Sequence, residues 1–183
     1  RVVCCIDQPE NIWCAGHLPF TLPEGVYVLE NADAYYASYA IGWGLGAYQF
    51  TRYKNPKRQP AQLVLENKIA GPVRTIVESL YSVRDWINIP TDDMGPAELA
   101  GVAEKLANQY NAKLTQLIGE ELLQHNYASI YTVGRASDDP PRLLDLRWGQ
   151  PEHPKVTLVG KGVCFDTGGL DIKPSAYMLL MKK

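Results

Sequence analysis

Apolar residues recur along this chain in two periods, one near two residues and one near 3.6, and the alternation between them divides it into strands and helices. Val26-Tyr27-Val28-Leu29 is a short run of strand formers, and the opening Val2-Val3-Cys4-Cys5-Ile6 is strand-like too. Asp33 starts an aromatic-rich stretch through Phe50 whose apolar residues fall at helical spacing. Gly42, Gly44 and Gly46 interrupt it. Each costs about 1 kcal/mol against alanine in a helix interior, so a helix here implies close packing against a neighbour rather than a ligand loop. Residues 55–60 form a polar, proline-containing break, and residues 62–66 are strand-like. From Pro72 onward, Val73, Ile76, Val77, Leu80, Val83 and Ile87 share one helical face, which ends at residues 88–90. Pro96 stands where a first helical turn accepts proline, with Leu99, Val102, Ala103 and Leu106 as the apolar stripe behind it. Lys113–Ile118 predicts a strand and residues 120–133 a helix. Two more strands follow at 142–148 and 155–159, the last nearly all apolar and so expected at the centre of a sheet. Strands alternating with helices predict an α/β layer structure, with a boundary near Asn67 where the long amphipathic helix begins.

Composition narrows the class. Of 183 residues, 46% are hydrophobic and 21% charged, values that support a buried core and argue against a disordered chain. The formal net charge of -2 lacks the basic excess a nucleic-acid surface needs, and the basic stretch from Arg52 to Arg58, broken by Pro56, is a solvated loop. Cys4, Cys5, Cys14 and Cys164 are too few and too uneven for a disulfide framework and point to a reducing compartment, the cytoplasm. No apolar run approaches the roughly 18 residues of a membrane span, and no secretory signal opens the chain. The chain begins at Arg1 without methionine, so a true N-terminus is expected to lie upstream. His17, His125 and His153 show no mutual metal-ligand spacing, and Cys14 with His17 is an isolated pair; core or surface roles are expected of them.

The chemistry is concentrated in Val159-Gly160-Lys161-Gly162-Val163-Cys164-Phe165-Asp166-Thr167-Gly168-Gly169-Leu170-Asp171-Ile172-Lys173-Pro174. It follows an apolar strand candidate, the place where open α/β sheets put their ligands, and its glycines allow close backbone approach. Phosphate-loop patterns fail: Phe165 stands where a dinucleotide fingerprint needs glycine, and Gly162 follows Lys161 where a Walker motif needs Ser or Thr. Asp166-Thr167-Gly168 also matches the aspartic-protease triplet, but Gly169 is the wrong following residue and the α/β pattern is the wrong fold.

The run from Val159 to Lys183, with its Gly-Lys-Gly, aromatic-then-Asp, Gly-Gly, Lys-Pro and Met-Leu-Leu-Met-Lys, resembles the metal-binding segment of the leucine aminopeptidase family. Arg84-Asp85-Trp86-Ile87-Asn88 with Pro90, Asp93-Met94-Gly95-Pro96 and Val133-Gly134-Arg135-Ala136-Ser137 are similar to the start of that family's catalytic domain, and Gly42-Trp43-Gly44-Leu45 with Tyr48 to the end of its accessory domain. The resemblance implies an α/β fold made of the end of a small accessory domain (1–66), a linking helix (67–90) and the first, incomplete part of a mixed-sheet catalytic domain (91–183). It implies two divalent metal ions, Zn or Mn, with Lys161 as an amine ligand, Asp166 as a bridging carboxylate and Lys173 as the cationic electrophile facing a scissile carbonyl. A lysine suits both parts because its pKa follows its surroundings. Two ions about 3.5 to 4 Å apart polarise the carbonyl and acidify a shared water, so the implied reaction is hydrolysis of an N-terminal residue from a peptide with a free amine. Met178 and Met181 are expected to line an apolar substrate pocket. The family is usually a cytoplasmic hexamer, so a homo-oligomer with peptide partners and no nucleic acid or membrane is implied.

Lys161 and Asp166 alone do not fill two coordination shells, since one zinc site wants three protein ligands and a water. The family supplies further carboxylates and an arginine after this segment, so the expectation is a fragment, inactive by itself and without bound metal. Tyr177 stands where the family usually has a small residue, and Asp171 is an unusual neighbour for metals. The alternative is a non-catalytic α/β module kept for assembly or binding.

Overall fold

The computed structural model describes residues 2–6, 8–30 and 34–181, and the chain divides into two compact units, 1–88 and 89–183. The start of the aromatic stretch at Asp33 lies outside the described residues, as do Lys182 and Lys183.

In the first unit a short helix α1 (Leu18–Thr21) precedes strand β1 (Val26–Tyr27), helix α2 (Tyr36–Gly46), strand β2 (Gln62–Leu63) and the long helix α3 (Asn67–Asn88). β1 and β2 pair in parallel, Val26 with Gln62 and Tyr27 with Leu63. The core gathers Ala15, Leu18, Leu22, Trp43 and Ala61, and the Trp43 indole donates to the Ala61 carbonyl at 2.8 Å, so the buried ring also satisfies its one polar atom. The predicted close packing of α2 is observed on two sides. A Cβ on Gly42 or Gly46 would run into the backbone of Ile12 or Gly16, and one on Gly44 would come within 2.7 Å of the Val77 side chain.

α3 completes α2 chemically as well as sterically. The last carbonyls of a helix have no partner within it. Here Tyr81 donates its hydroxyl to the Gly44 carbonyl, and Arg84 donates to the Leu45 carbonyl at 2.8 Å while its guanidinium lies 3.8 Å from the centre of the Tyr48 ring. The Tyr48 hydroxyl donates to Asp85 at 2.7 Å and accepts from Asn88 at 3.1 Å. α3 therefore spends its inner face on α2. Of its six periodic apolar residues only Val73 is buried, and Ile76, Leu80, Val83 and Ile87 are between 40% and 46% exposed, where the periodicity predicted one covered face.

The second unit opens on a 3-10 turn (Thr91–Asp93) and helix α4 (Pro96–Tyr110). Its N-terminus is capped twice: Gly95 N–H donates to the Glu98 carboxylate at 3.0 Å and Ala97 N–H to the Asp139 carboxylate at 2.8 Å. Strand β3 (Lys113–Ile118) pairs antiparallel with β4 (Arg142–Arg147), from Lys113 opposite Arg147 to Ile118 opposite Arg142, and α4 packs against both. Met94, Ala100, Ala107, Leu122 and Cys164 are buried.

Three expectations are corrected here. The single helix over 120–133 is two, α5 (Glu121–Gln124) and α6 (Ala128–Gly134), because Asn126 adopts φ +64, a left-handed conformation that ends a helix and that asparagine tolerates. Residues 2–6 form no strand. Residues 155–159 are not a central strand: Val156, Leu158 and Val159 are 82%, 92% and 94% exposed, and no described strand pairs with them. An apolar run becomes a strand only where another strand accepts its N–H and C=O groups, and among the described residues of this unit the one ladder is β3 with β4.

Candidate active site

After the exposed run, the chain is moored to its unit at Gly162 and Cys164. A Cβ on Gly162 would lie 3.0 Å from the Leu99 side chain, and the buried Cys164 offers its carbonyl to the Thr91 hydroxyl at 3.2 Å. From that anchor the backbone folds into a closed loop of local hydrogen bonds. Asp166 N–H donates to the Met181 carbonyl at 3.0 Å, Gly168 N–H to the Asp166 carboxylate at 2.9 Å, Gly169 N–H to the Thr167 hydroxyl at 3.2 Å, and Lys173 N–H to the Thr167 carbonyl at 2.9 Å. These are Asx and Ser/Thr turns, the local chemistry that short polar side chains favour. Gly168 sits at φ +90 with the Asp171 carbonyl closed over it, so a side chain there has neither the conformation nor the room. The short helix α7 (Ser175–Met178) follows, and Met181 N–H donates to the Met178 carbonyl at 3.1 Å.

The loop brings the two ends of the motif together. Lys173 Nζ lies 3.3 Å from Asp166 Oδ2, with the two side chains 35% and 48% exposed. The carboxyl of Asp166 is held below its ordinary range, chiefly by the Gly168 N–H, then by the Lys173 ammonium, with a further contribution from the charge of Lys161. Of the three residues singled out by sequence, Asp166 and Lys173 are in direct contact, while Lys161 contributes the smallest part of the lowering at Asp166. Thr167 and Gly168, which hold the loop shut, were missed as positioning residues; their signal was the turn-forming Asp-Thr-Gly-Gly sequence. Met178 and Met181 are half-buried and close the loop through main-chain bonds. Two cavities, of about 520 and 420 Å³, open among residues 40–81 of the first unit, and neither is lined by these methionines. Tyr177 is 60% exposed.

As a donor set for divalent ions, the residues fit in part. A carboxylate oxygen and a deprotonated lysine nitrogen are donor types that such ions take. Among the described residues no group of three or more His, Cys, Asp or Glu is placed to hold a metal.

Comparison with known proteins separates the readings left open by the motif. Residues 81–183 match the model of the cytosol aminopeptidase family, catalytic domain, and residues 1–66 that of the M17 aminopeptidase, N-terminal domain. Asp166 falls inside the first of these, which removes the aspartic-protease alternative. Peptidase B of Yersinia pestis is 38% identical over 156 residues, covering 77% of this chain and 35% of that protein. The crystal structure of cytosol aminopeptidase from Coxiella burnetii superposes with a TM-score of 0.91 at 42% identity, covering 97% of this chain and 39% of that one. The bottromycin maturation enzyme BotP in complex with Mn gives 0.77 at 26% identity, covering 93% and 40%. The chain thus spans well under half the length of each of these relatives. Sequence, fold and motif agree: the chain belongs to the cytosol aminopeptidase family.

Proposed function

We propose that this chain forms part of a metal-dependent aminopeptidase that removes N-terminal residues from peptides, with Lys161 and Asp166 as metal ligands and Lys173 as the cation that receives the substrate carbonyl. The observation that carries the reading is the pairing of Asp166 with Lys173, whose Nζ lies 3.3 Å from Oδ2, inside the segment matched by the catalytic-domain model. Divalent ions at such a site supply Lewis acidity toward a carbonyl oxygen and acidify water. The chain's own residues orient and neutralise. Asp166 presents a carboxylate fixed by the Gly168 N–H, and Lys173 brings a positive charge toward the oxygen on which negative charge develops. BotP was solved in complex with Mn, which supports a divalent ion at this site; that the ions are Mn or Zn, two per site, is part of the same proposal. Peptides with a free N-terminus as substrates, Met178 and Met181 beside the first side chain, a cytoplasmic setting and assembly into a hexamer belong to the same proposal. Among the described residues no helix is long and apolar enough to cross a membrane.

Two donors do not complete a two-metal site, so the 183-residue chain by itself is expected to hydrolyse nothing. The test is therefore a chimera: residues 81–183 replace the matching segment of the Coxiella enzyme, and leucine amide hydrolysis is followed with Mn or Zn. The expected result is metal-dependent turnover that is abolished by EDTA and falls at least about a hundredfold in Lys173→Ala, the scale on which a transition-state electrostatic contact acts. A folded chimera whose turnover ignores EDTA or Lys173→Ala overturns the proposal. A folded, metal-free and inactive chimera would instead support the second reading, a non-catalytic assembly module.

A further inference from the structure

A groove of about 420 Å³ runs between α2, β2 and α3 within the first unit. Its floor is apolar, made by Ala40, Trp43, Ala47, Leu63, Val73 and Val77. The polar atoms beside that floor are already used: the Trp43 indole donates to the Ala61 carbonyl at 2.8 Å, and the Tyr81 hydroxyl donates to the Gly44 carbonyl. These bonds fix the walls before anything binds, so a ligand pays little to order them. The charged groups of the lining are Arg74 and Glu78, both exposed. They stand on adjacent turns of α3, with Cβ atoms roughly 5–6 Å apart by helix geometry and in the order less favourable for an ion pair. Among the described residues no hydrogen bond or ion pair engages either side chain. We propose that this groove binds an apolar α-amino acid as its zwitterion, the carboxylate at Arg74, the ammonium at Glu78 and the side chain on the floor.

A neutral apolar molecule would leave both charges idle, and a simple anion or cation would meet one partner and one like charge. A zwitterion, with its two charges one carbon apart, meets both, and the groove has the size of a small-molecule site. The floor supplies most of the affinity and the two charges supply the selection. Covering a leucine side chain is worth at least about tenfold, while an exposed ion pair is worth no more than about fivefold. Free apolar amino acids are also what the proposed aminopeptidase would release. The groove nevertheless lies in the first unit, whereas Lys161, Asp166 and Lys173 lie in the second, so its ligand is tested apart from that reading.

The test is a nuclear magnetic resonance titration of the whole chain, isotopically labelled and without added metal. L-Leucine is expected to shift the amide resonances of Ala40, Gly44, Ala47 and Leu63 and the indole resonance of Trp43. Glycine, which makes no contact with the floor, should bind at least about tenfold more weakly. Leucinamide, which lacks the carboxylate, and N-acetyl-leucine, which lacks the ammonium, should each bind about three- to fivefold more weakly. Arg74→Gln should erase the preference for leucine over leucinamide, and Glu78→Gln the preference over N-acetyl-leucine. Both side chains are exposed and unpaired, so the ligand-free spectra of the two variants should match the wild type away from the substituted turn. If leucine moves none of these resonances, or if leucine, leucinamide and N-acetyl-leucine bind alike, the groove takes no zwitterion and the proposal is overturned. A variant that keeps the wild-type preference overturns it as well. Each of these failures leaves the proposed function standing, since that reading is judged by the turnover of the chimera.

Discussion

At the scale of single residues, the same side chains serve packing and titration, and Tyr81 shows it most directly. Its hydroxyl donates to the Gly44 carbonyl at the end of α2, and burial raises its pKa above the ordinary 10, with Tyr48 adding to the rise and Arg84 opposing it. Tyr48 is raised likewise, first by burial and then by its bond to Asp85, against Asn88 and Arg84. A folded state that holds these protons more tightly than the unfolded chain gains a stabilisation that is complete below pH 10 and disappears as the pH climbs through the raised values. Denaturant unfolding between pH 8 and pH 11.5 should therefore show stability falling above pH 10, less steeply in Tyr81→Phe, which also loses about 1 kcal/mol at neutral pH with its hydrogen bond. Equal slopes for the two proteins would contradict this account. The candidate site is a residue-scale matter as well. Spacing alone gave Lys161, Asp166 and Lys173 no geometry, and only the resemblance assigned them to one site. The bonds from Gly168 and Thr167 that bring Asp166 and Lys173 together follow from turn chemistry that single residues already carry.

Among the elements, α4 was legible from its apolar period and the proline at its first turn and β3 from its run of strand formers, while the left-handed Asn111 between them was not read from the sequence. The helix at 120–133 was overread, since the apolar period runs on through Asn126 while the backbone does not. The apolar run at 155–159 was read as buried because hydropathy reports a preference for burial and is silent about whether a partner exists. α2 was the reverse case, where three glycines that weaken a helix announced its neighbours correctly. Gly44 and Val77 form a lock of hydrogen atom against isopropyl group, so Gly44→Ala should destabilise the first unit by about 1–3 kcal/mol through overpacking. Val77→Ala in the same chain should recover part of that loss. A double-mutant cycle by urea unfolding measures the coupling; strict additivity of the two changes would show that the helices do not meet there.

Taken whole, the α/β class was legible from the alternation of periods, while the covering of apolar surface was not. The exposed run of Val156, Leu158 and Val159 has a consequence for the molecule in solution, because extended apolar segments with open main-chain groups seek pairing. Sedimentation velocity over rising concentration should show self-association of the 183-residue chain that Leu158→Lys diminishes; identical profiles for the two would remove the run as its cause. A different consequence follows from the tie between α3 and α2. The family models divide at residues 66 and 81, yet Tyr81, Arg84, Asp85 and Asn88, which follow that seam, are the residues that complete the end of α2. Evolutionary modules and cooperative folding units do not coincide here: an accessory domain excised at its sequence border would leave behind the donors that finish its own helix, and the catalytic piece would carry off half a clasp with nothing to fasten.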